Sequence, residues 1–319
     1  MKNKADYSAI DELEAEPPPD SALPDLTLTV PPQPAGRRLD QVLAELLPEY
    51  SRSRIQTWID EGQVLLDGAA AKPKQKVWGG EMLSVVPMAH PSEVEAAPED
   101  IPLDIIYEDE AILVLNKPAG LVVHPGSGNW SGTLLNALLH HAPQLKQLPR
   151  AGIVHRLDKD TSGLMVVAKT LQAQTDLVRQ LQARSVSRIY LAVVEGDAQS
   201  EGSVDAPIGR HPRDRVKMAV VERGKPALTH FRVLERLPRH TLVECRLETG
   251  RTHQIRVHMQ SIGHPLVGDP VYGERTLFHR QALHATRLAL VHPATGARME
   301  WEKSMPQDMA ELLATLRRS

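Results

Sequence analysis

Residues 151–170 read AGIVHRLDKDTSGLMVVAKT, and charge, turn and apolar strand are compressed there with almost no slack. Ile153 and Val154 lead into His155-Arg156-Leu157-Asp158-Lys159-Asp160, and Thr161-Ser162-Gly163 closes the cluster. Leu164–Ala168 then continues as an apolar run typical of a buried strand. The charged residues are therefore expected in a loop at the mouth of a sheet. Loops on rigid scaffolds are where catalytic groups concentrate, and two carboxylates beside an arginine offer one that could stay ionised in a partly dry pocket. Taken alone, the same stretch equally fits a solvated surface turn.

At 319 residues with 41% hydrophobic side chains, the chain is long enough for two domains with real cores. Its one cysteine, Cys245, excludes an internal disulfide and a cysteine-rich zinc site. The fourteen histidines form no His-Glu-x-x-His pattern and no clean carboxylate partner set, so no metal is expected. No apolar run has the length of a membrane span and no secretory signal opens the chain, which points to the cytoplasm. The net charge of −3 is unevenly spread: residues 1–25 hold −5, residues 89–110 hold −8, residues 26–88 balance, and residues 111–319 hold +10. A basic body with an acidic tail and linker suits a polyanionic partner such as nucleic acid.

Residues 1–25 read as a disordered acidic tail, with too little apolar surface to offset the entropy of ordering. Leu26–Val30 suits a short strand. Leu39, Val42, Leu43, Leu46 and Leu47 then fall at helical spacing, and Pro48 stops that helix. Ser53 with Gln56 offers a capping box for a second helix burying Ile55, Trp58 and Ile59. Val64–Leu66, the Asp67-Gly68 turn and Met82–Val86 suggest a small antiparallel ribbon. Arg37, Arg38, Arg52 and Arg54 stand at the helix starts and Lys72, Lys74 and Lys76 in the loop between strands, an ordinary phosphate-contacting surface. Residues 38–68, RLDQVLAELLPEYSRSRIQTWIDEGQVLLDG, resemble the S4 RNA-binding domain, which implies binding to structured RNA and no particular reaction.

Residues 89–100 read as a linker, and the body is expected from Ile101. The glycine-rich Pro125-Gly126-Ser127-Gly128 is no P-loop, because no Gly-Lys-Ser/Thr follows. Leu171 to about Arg184 suits a helix, and Ser187–Val194 a strand that places Tyr190, Ala192 and Val194 on one side. Tyr190, beside Arg184 and Arg188, is either a buried structural tyrosine or a base-stacking platform. Residues 210–217 form a basic loop. Thr252 is placed to cap a helix running to Ile262, with Ile255, Met259 and Ile262 on its buried face and His253, Arg256 and Gln260 along a polar stripe.

Four segments together resemble the RluA family of pseudouridine synthases: NKPAGLVVHP (116–125), the opening stretch, RSVSRIYLAVVEG (184–196) and LETGRTHQIRVHMQSIGHPLVGDPVYG (247–273). SRSRIQTWI (51–59) and RQALHAT (280–286) are most similar to members that modify 23S large-subunit ribosomal RNA at the helix 69 stem-loop. The resemblance implies an α+β fold: a small S4-like domain over residues 26–88, then a catalytic domain over 101–319 built on a mixed, mainly antiparallel sheet with flanking helices. It also implies conversion of uridine to pseudouridine, without a cofactor, in a structured ribosomal RNA stem-loop; the chain is expected to act as a monomer.

The same resemblance assigns the catalytic aspartate to Asp158, the active-site tyrosine to Tyr190, the basic partner of the carboxylate to Arg256 and displacement of the target base to Arg156. Ile255 and His253 fall in the pocket motif. Two departures stand out: Arg188 where lysine is common, and a short segment between Tyr272 and Gln281. Other readings are a synthase for other ribosomal or transfer RNA uridines, a non-catalytic S4 protein, and a glycoside hydrolase pairing Asp158 with Asp160 about 5 to 10 Å apart.

Overall fold

The computed structural model describes residues 25–32, 36–48, 50, 52–87, 96–126, 129–214, 217–274 and 277–318, apart from the side chains of Ser53 and Arg54. The expected acidic tail up to Pro24, the linker residues 89–95, Ser127-Gly128, Arg215 and the Arg54 side chain lie outside the described residues. The chain divides into two units, residues 1–95 and 96–319.

The first unit runs β1 (Leu26–Thr29), β2 (Arg37–Arg38), α1 (Leu39–Leu46), α2 (Arg52–Asp60), β3 (Val64–Leu66), β4 (Ala69–Ala70), β5 (Lys76–Val77) and β6 (Met82–Val85). Strands β1, β6, β3 and β4 make one antiparallel sheet, and β2 pairs β5 in a separate ribbon. The helical spacing of Leu39, Val42 and Leu43 turns them inward against Ile55, Trp58 and Ile59 of α2 and against Val64, Leu83 and Val85. Burying each such side chain contributes roughly 1.5–3 kcal/mol. The Asp67-Gly68 turn forms as expected, both residues having positive φ (49° and 79°), the backbone that a two-residue hairpin requires.

The Ser53 side chain of the expected capping box lies outside the described residues. Helix α2 begins at Arg52, so Ser53 lies inside the helix, and the Gln56 amide turns away to Asp40. Asp40 has no exposed surface and also takes Arg38 (3.0 and 2.8 Å) and Arg52 (3.2 and 2.9 Å). Arg37 pairs with Glu45. Three of the four arginines expected to face phosphate are thus engaged within the unit, Arg38 and Arg52 because a carboxylate buried at the helix crossing needs partners. Their side chains remain 37–43% exposed.

The second unit runs β7 (Asp104–Glu108), β8 (Ile112–Lys117), α3 (Leu134–His141), β9 (Ser162–Ala168), α4 (Leu171–Gln182), β10 (Ser187–Glu195), β11 (Glu201–Asp205), β12 (Ile208–Arg210), β13 (Met218–Val220), β14 (Leu228–Arg236), β15 (His240–Leu247), α5 (Gln254–Ser261), β16 (Leu283–Val291), β17 (Arg298–Glu302) and α6 (Gln307–Leu316). Its nine-stranded sheet has the order β11-β14-β15-β10-β16-β9-β8-β7, with β17 also on β16. All these pairs are antiparallel except β9 with β16, so the sheet is mixed and mainly antiparallel, as expected. Residues 96–100, expected in the linker, are instead tied to this unit: Asn136 donates to the Ala97 carbonyl, and Glu99 takes the Gly132 N–H.

Every residue of β9 is buried, since Met165 and Val167 enter the core under α3 and α5 while Leu164, Val166 and Ala168 enter the core under α4. Gly163 sits at φ +118°, and a Cβ there would stand 2.3 Å from the Ala285 carbonyl oxygen. Only glycine lets β9 and β16 approach so closely, and this fixes where the charged loop leaves the sheet.

Burial pushes the Asp40 carboxyl up, but hydrogen bonds from Arg38, Gln56 and Arg52 bring it down to about 2 from 3.8. A carboxyl depressed on folding stabilises above its unfolded value and loses that contribution as pH falls, here between about 4 and 2. Asp40→Asn is therefore expected to cost on the order of 1–2 kcal/mol at pH 7 and to flatten the acid limb of urea stability measured on the full chain.

Candidate active site

Loop residues 155–161 connect Ile153, which bridges to Val167, with the start of β9. Leu157 anchors the loop in the core. His155 Nε2 accepts the Val166 N–H at 3.1 Å, a bond that needs a neutral ring, and burial together with the Arg188 charge pushes its pKa down to about 3. Two buried cations hold the loop's carbonyls. Lys117 Nζ donates to the carbonyls of Pro118 (2.7 Å), Leu121 (2.9 Å) and Lys159 (2.9 Å), and Arg280 Nη1 donates to that of Asp160 (3.1 Å). Arg280 is itself gripped by Asp308 of α6 at 2.8 and 3.0 Å, while Gln281 reaches Thr161 Oγ1 at 3.2 Å. Burial drives the Lys117 ammonium down to about 7, against the fields of Asp160 and Asp158.

Arg256 comes to this loop from α5. Its Nη1 donates to Asp158 Oδ2 at 2.9 Å, and its Nε and Nη2 clasp Asp269 at 2.7 and 2.9 Å. Burial opposes the charge of Arg256, but the bonds and fields of Asp269 and Asp158 outweigh it and raise its pKa. Asp269 Oδ1 additionally caps the N–H groups of Val271 and Tyr272. The Tyr272 ring lies 5.0 Å from the Arg256 guanidinium carbon, and its hydroxyl meets the Met218 N–H (2.9 Å) and His253 Nδ1 (2.8 Å). His253 Nε2 is 4.0 Å from Asp158 Oδ1. Asp158 keeps 19% of its side chain exposed, and Oδ1 hydrogen-bonds to no described residue.

Helix α5 departs from expectation. It runs Gln254–Ser261, and its N-cap is His253 in the left-handed region (φ 57°) with no side-chain cap, so Thr252 caps nothing. Gln254 orders the turn instead, accepting the Arg251 N–H at 2.9 Å and the Thr249 hydroxyl at 2.8 Å. The polar stripe does not face solvent as a unit: Arg256 is 4% exposed, Gln260 is open, and Ile262, expected inward, is 39% exposed. Tyr190 and Ile255 lie in one core cluster with Leu157. Tyr190 is 5% exposed, and burial and the Asp158 charge raise its phenol pKa while Arg188 opposes them. Arg156 stays exposed with no ion pair among the described residues, and Lys72 and Lys74 are exposed in the first unit.

Residues 111–261 match the family described as RNA pseudouridylate synthase, and residues 37–83 match the S4 domain. A ribosomal large subunit pseudouridine synthase D of Nitrosomonas europaea is 59% identical over 92% of this chain and 88% of its own. The chain belongs to the RNA pseudouridylate synthase family. Enzymes of the same description from Pseudomonas aeruginosa (58% identity, 90% of this chain and 94% of that one) and Escherichia coli K12 (56%, 92% and 94%) match this synthase similarly. The solved human RNA pseudouridylate synthase domain containing 1 superposes with a TM-score of 0.54 at 28% identity, over 69% of this chain and 97% of that one.

Sequence reasoning missed Asp269, Lys117, Arg280 and Tyr272. Lys117 carried a signal, a cation ending the wholly apolar run Ile112–Leu115, and Asp269 stood in the turn Gly268-Asp269-Pro270. Neither signal names the partner. Asp269→Asn leaves a buried guanidinium half-compensated and is expected to cost about 2–4 kcal/mol, read as a lower urea midpoint of the full chain, with Arg256→Lys giving no comparable relief in the double variant.

Proposed function

We propose that this synthase isomerises particular uridines in a structured stem-loop of large-subunit ribosomal RNA, acting as a cytoplasmic monomer, with Asp158 as the group that acts on the target ribose. The observation that carries the reading is the unequal treatment of the two Asp158 oxygens. Oδ2 is fixed by Arg256 at 2.9 Å, whereas Oδ1 hydrogen-bonds to no described residue and lies 4.0 Å from His253 Nε2. A carboxylate held by one oxygen and free at the other is oriented without being used up.

The reaction breaks the bond from the ribose carbon to the uracil nitrogen, turns the base, and joins the same ribose carbon to a ring carbon. That ring carbon loses a proton and the nitrogen gains one, so nothing is oxidised and no water is consumed. Asp158 Oδ1 supplies the negative charge next to the ribose. Arg256, tied to Asp269, keeps that charge in place while the base is detached. Tyr190, whose hydroxyl bonds to no described residue, supports the loosened uracil from the core side, with Ile255 packed in the same cluster. The target nucleotide leaves its stack at a cost of a few kcal/mol, offset by Arg156 and phosphate contacts. His253 lines the open side of the carboxylate. Lys72 and Lys74, and the exposed faces of Arg37, Arg38 and Arg52, contribute to RNA affinity, and the large-subunit target is favoured by the shared description of the relatives above.

Asp158→Asn is expected to lower pseudouridine formation on transcribed large-subunit ribosomal RNA by at least about 10²-fold, scored chemically, with RNA affinity unchanged; a fully active variant would refute the assignment. Lys72→Ala should weaken RNA binding and reduce the slope of log affinity against log salt by about 0.7–0.9.

A further inference from the structure

Trp78 is 63% exposed, the most open of the large apolar side chains among the described residues. Its position is built rather than incidental. The Glu81 carboxylate accepts the backbone N–H groups of both Trp78 (2.6 Å) and Gly79 (2.7 Å), so the main chain beneath the indole is fixed. Gly79 is pressed against Pro32, where a Cβ would come within 2.7 Å of the backbone. Beside it, Gly36 at φ +76° leaves its face bare, and a Cβ there would touch the outer indole carbons at 3.6 and 3.8 Å. The indole therefore projects over a glycine from an ordered turn and stays largely open among the described residues.

The neighbouring charge tells what fits. In the β2–β5 ribbon Arg38 pairs with Lys76 and Arg37 with Val77. Val77 is buried, so by strand alternation Lys76 and Trp78 share the outward face, with Arg38 opposite Lys76. Lys76, Lys72 and Lys74 are exposed and engage no carboxylate among the described residues, unlike Arg37, Arg38 and Arg52. An apolar protein partner would have to desolvate this row of unpaired ammonium groups. A nucleotide meets both features at once, because its base has a π-face for the indole and its phosphate suits the adjacent ammonium.

We infer that Trp78, with Lys76 beside it, is a stacking platform for one unpaired base of the RNA that this chain binds. The site lies wholly within the first unit and rests on the reading of that unit as RNA-directed. Since the turn is already ordered, stacking sacrifices little side-chain freedom. The platform prefers single-stranded over fully paired RNA, since a base inside a duplex offers no free face.

The test uses the full chain and two probes, a twelve-nucleotide single-stranded oligouridylate and transcribed large-subunit ribosomal RNA. Trp78→Ala is expected to weaken oligouridylate binding about 5- to 100-fold with the salt slope unchanged, Trp78→Phe to restore most of the affinity, and Lys76→Ala to lower the salt slope by about 0.7. Indole emission should be quenched by oligouridylate in a Trp130→Phe background and not when Trp78→Phe is added. Affinity of Trp78→Ala within twofold of the parent would overturn the platform alone, as would an equal loss in Trp78→Phe. A parent that bound neither RNA would overturn the RNA-directed reading and the platform with it. A parent that is a dimer, turned monomeric by Trp78→Ala at unchanged RNA affinity, would assign the surface to a second copy of the chain.

Discussion

A single guanidinium shared by two carboxylates is the constraint on which the second unit's functional region depends. Arg256 is 5% exposed at its side chain, a placement that demands compensation, and it receives it unequally: two bonds from the sealed Asp269 and one from the partly open Asp158. The buried pair fixes the plane of the guanidinium. The third bond then has no freedom of direction left, so the position of the Asp158 carboxylate is inherited from Asp269. Because Asp269 also caps its own turn, the turn after α5, the helix itself and the loop before β9 are held as one electrostatic object.

Backbone restraint complements this arrangement from beneath. Lys117 and Arg280, entering from β8 and from the segment before β16, take the carbonyls of consecutive residues 159 and 160. A charged loop at a sheet mouth would ordinarily be mobile, since solvated carboxylates repel one another and few apolar contacts restrain them. Here carbonyl dipoles of the loop, rather than its own carboxylates, take Lys117 and one arm of Arg280, whose other arms go to Asp308. Asp158 and Asp160 thus form no ion pair with those cations among the described residues, while the backbone beneath them is restrained.

The legibility of these features in the sequence follows the range of the interactions. Strand β9, the helical faces of α1 and the Asp67-Gly68 turn depend on neighbours within four residues, and periodicity or turn chemistry exposes them. The meeting of Asp158 with Arg256 spans 98 positions. Residue-by-residue reading of α5 assigned Arg256 to a polar stripe that would ordinarily face solvent, and only family resemblance placed it at the carboxylate. Thr252 failed as a cap for a related reason: Gln254, reaching back to residues 249 and 251 and across to β14, sets the helix start by contacts that a local capping rule does not contain. Asp269 and Arg280 were invisible because charged residues in turns are usually solvated, and burial of a charge is a property of the assembled core.

The same reasoning separates two uses of positive charge in the first unit. Asp40, sealed at the crossing of α1 and α2, consumes Arg38 and Arg52, and Glu45 consumes Arg37, so these arginines serve the fold before they serve a ligand. A guanidinium suits that duty, because its planar fork satisfies a buried carboxylate while its outer edge stays wet. The lysines of the 72–76 loop have no such partner among the described residues, so these ammonium groups give up no bond to those residues when they meet phosphate. Counting basic residues therefore overstates the charge available to a polyanion, and among the described residues the lysines of the 72–76 loop, leading to the exposed Trp78, are the cations that give up least on meeting phosphate.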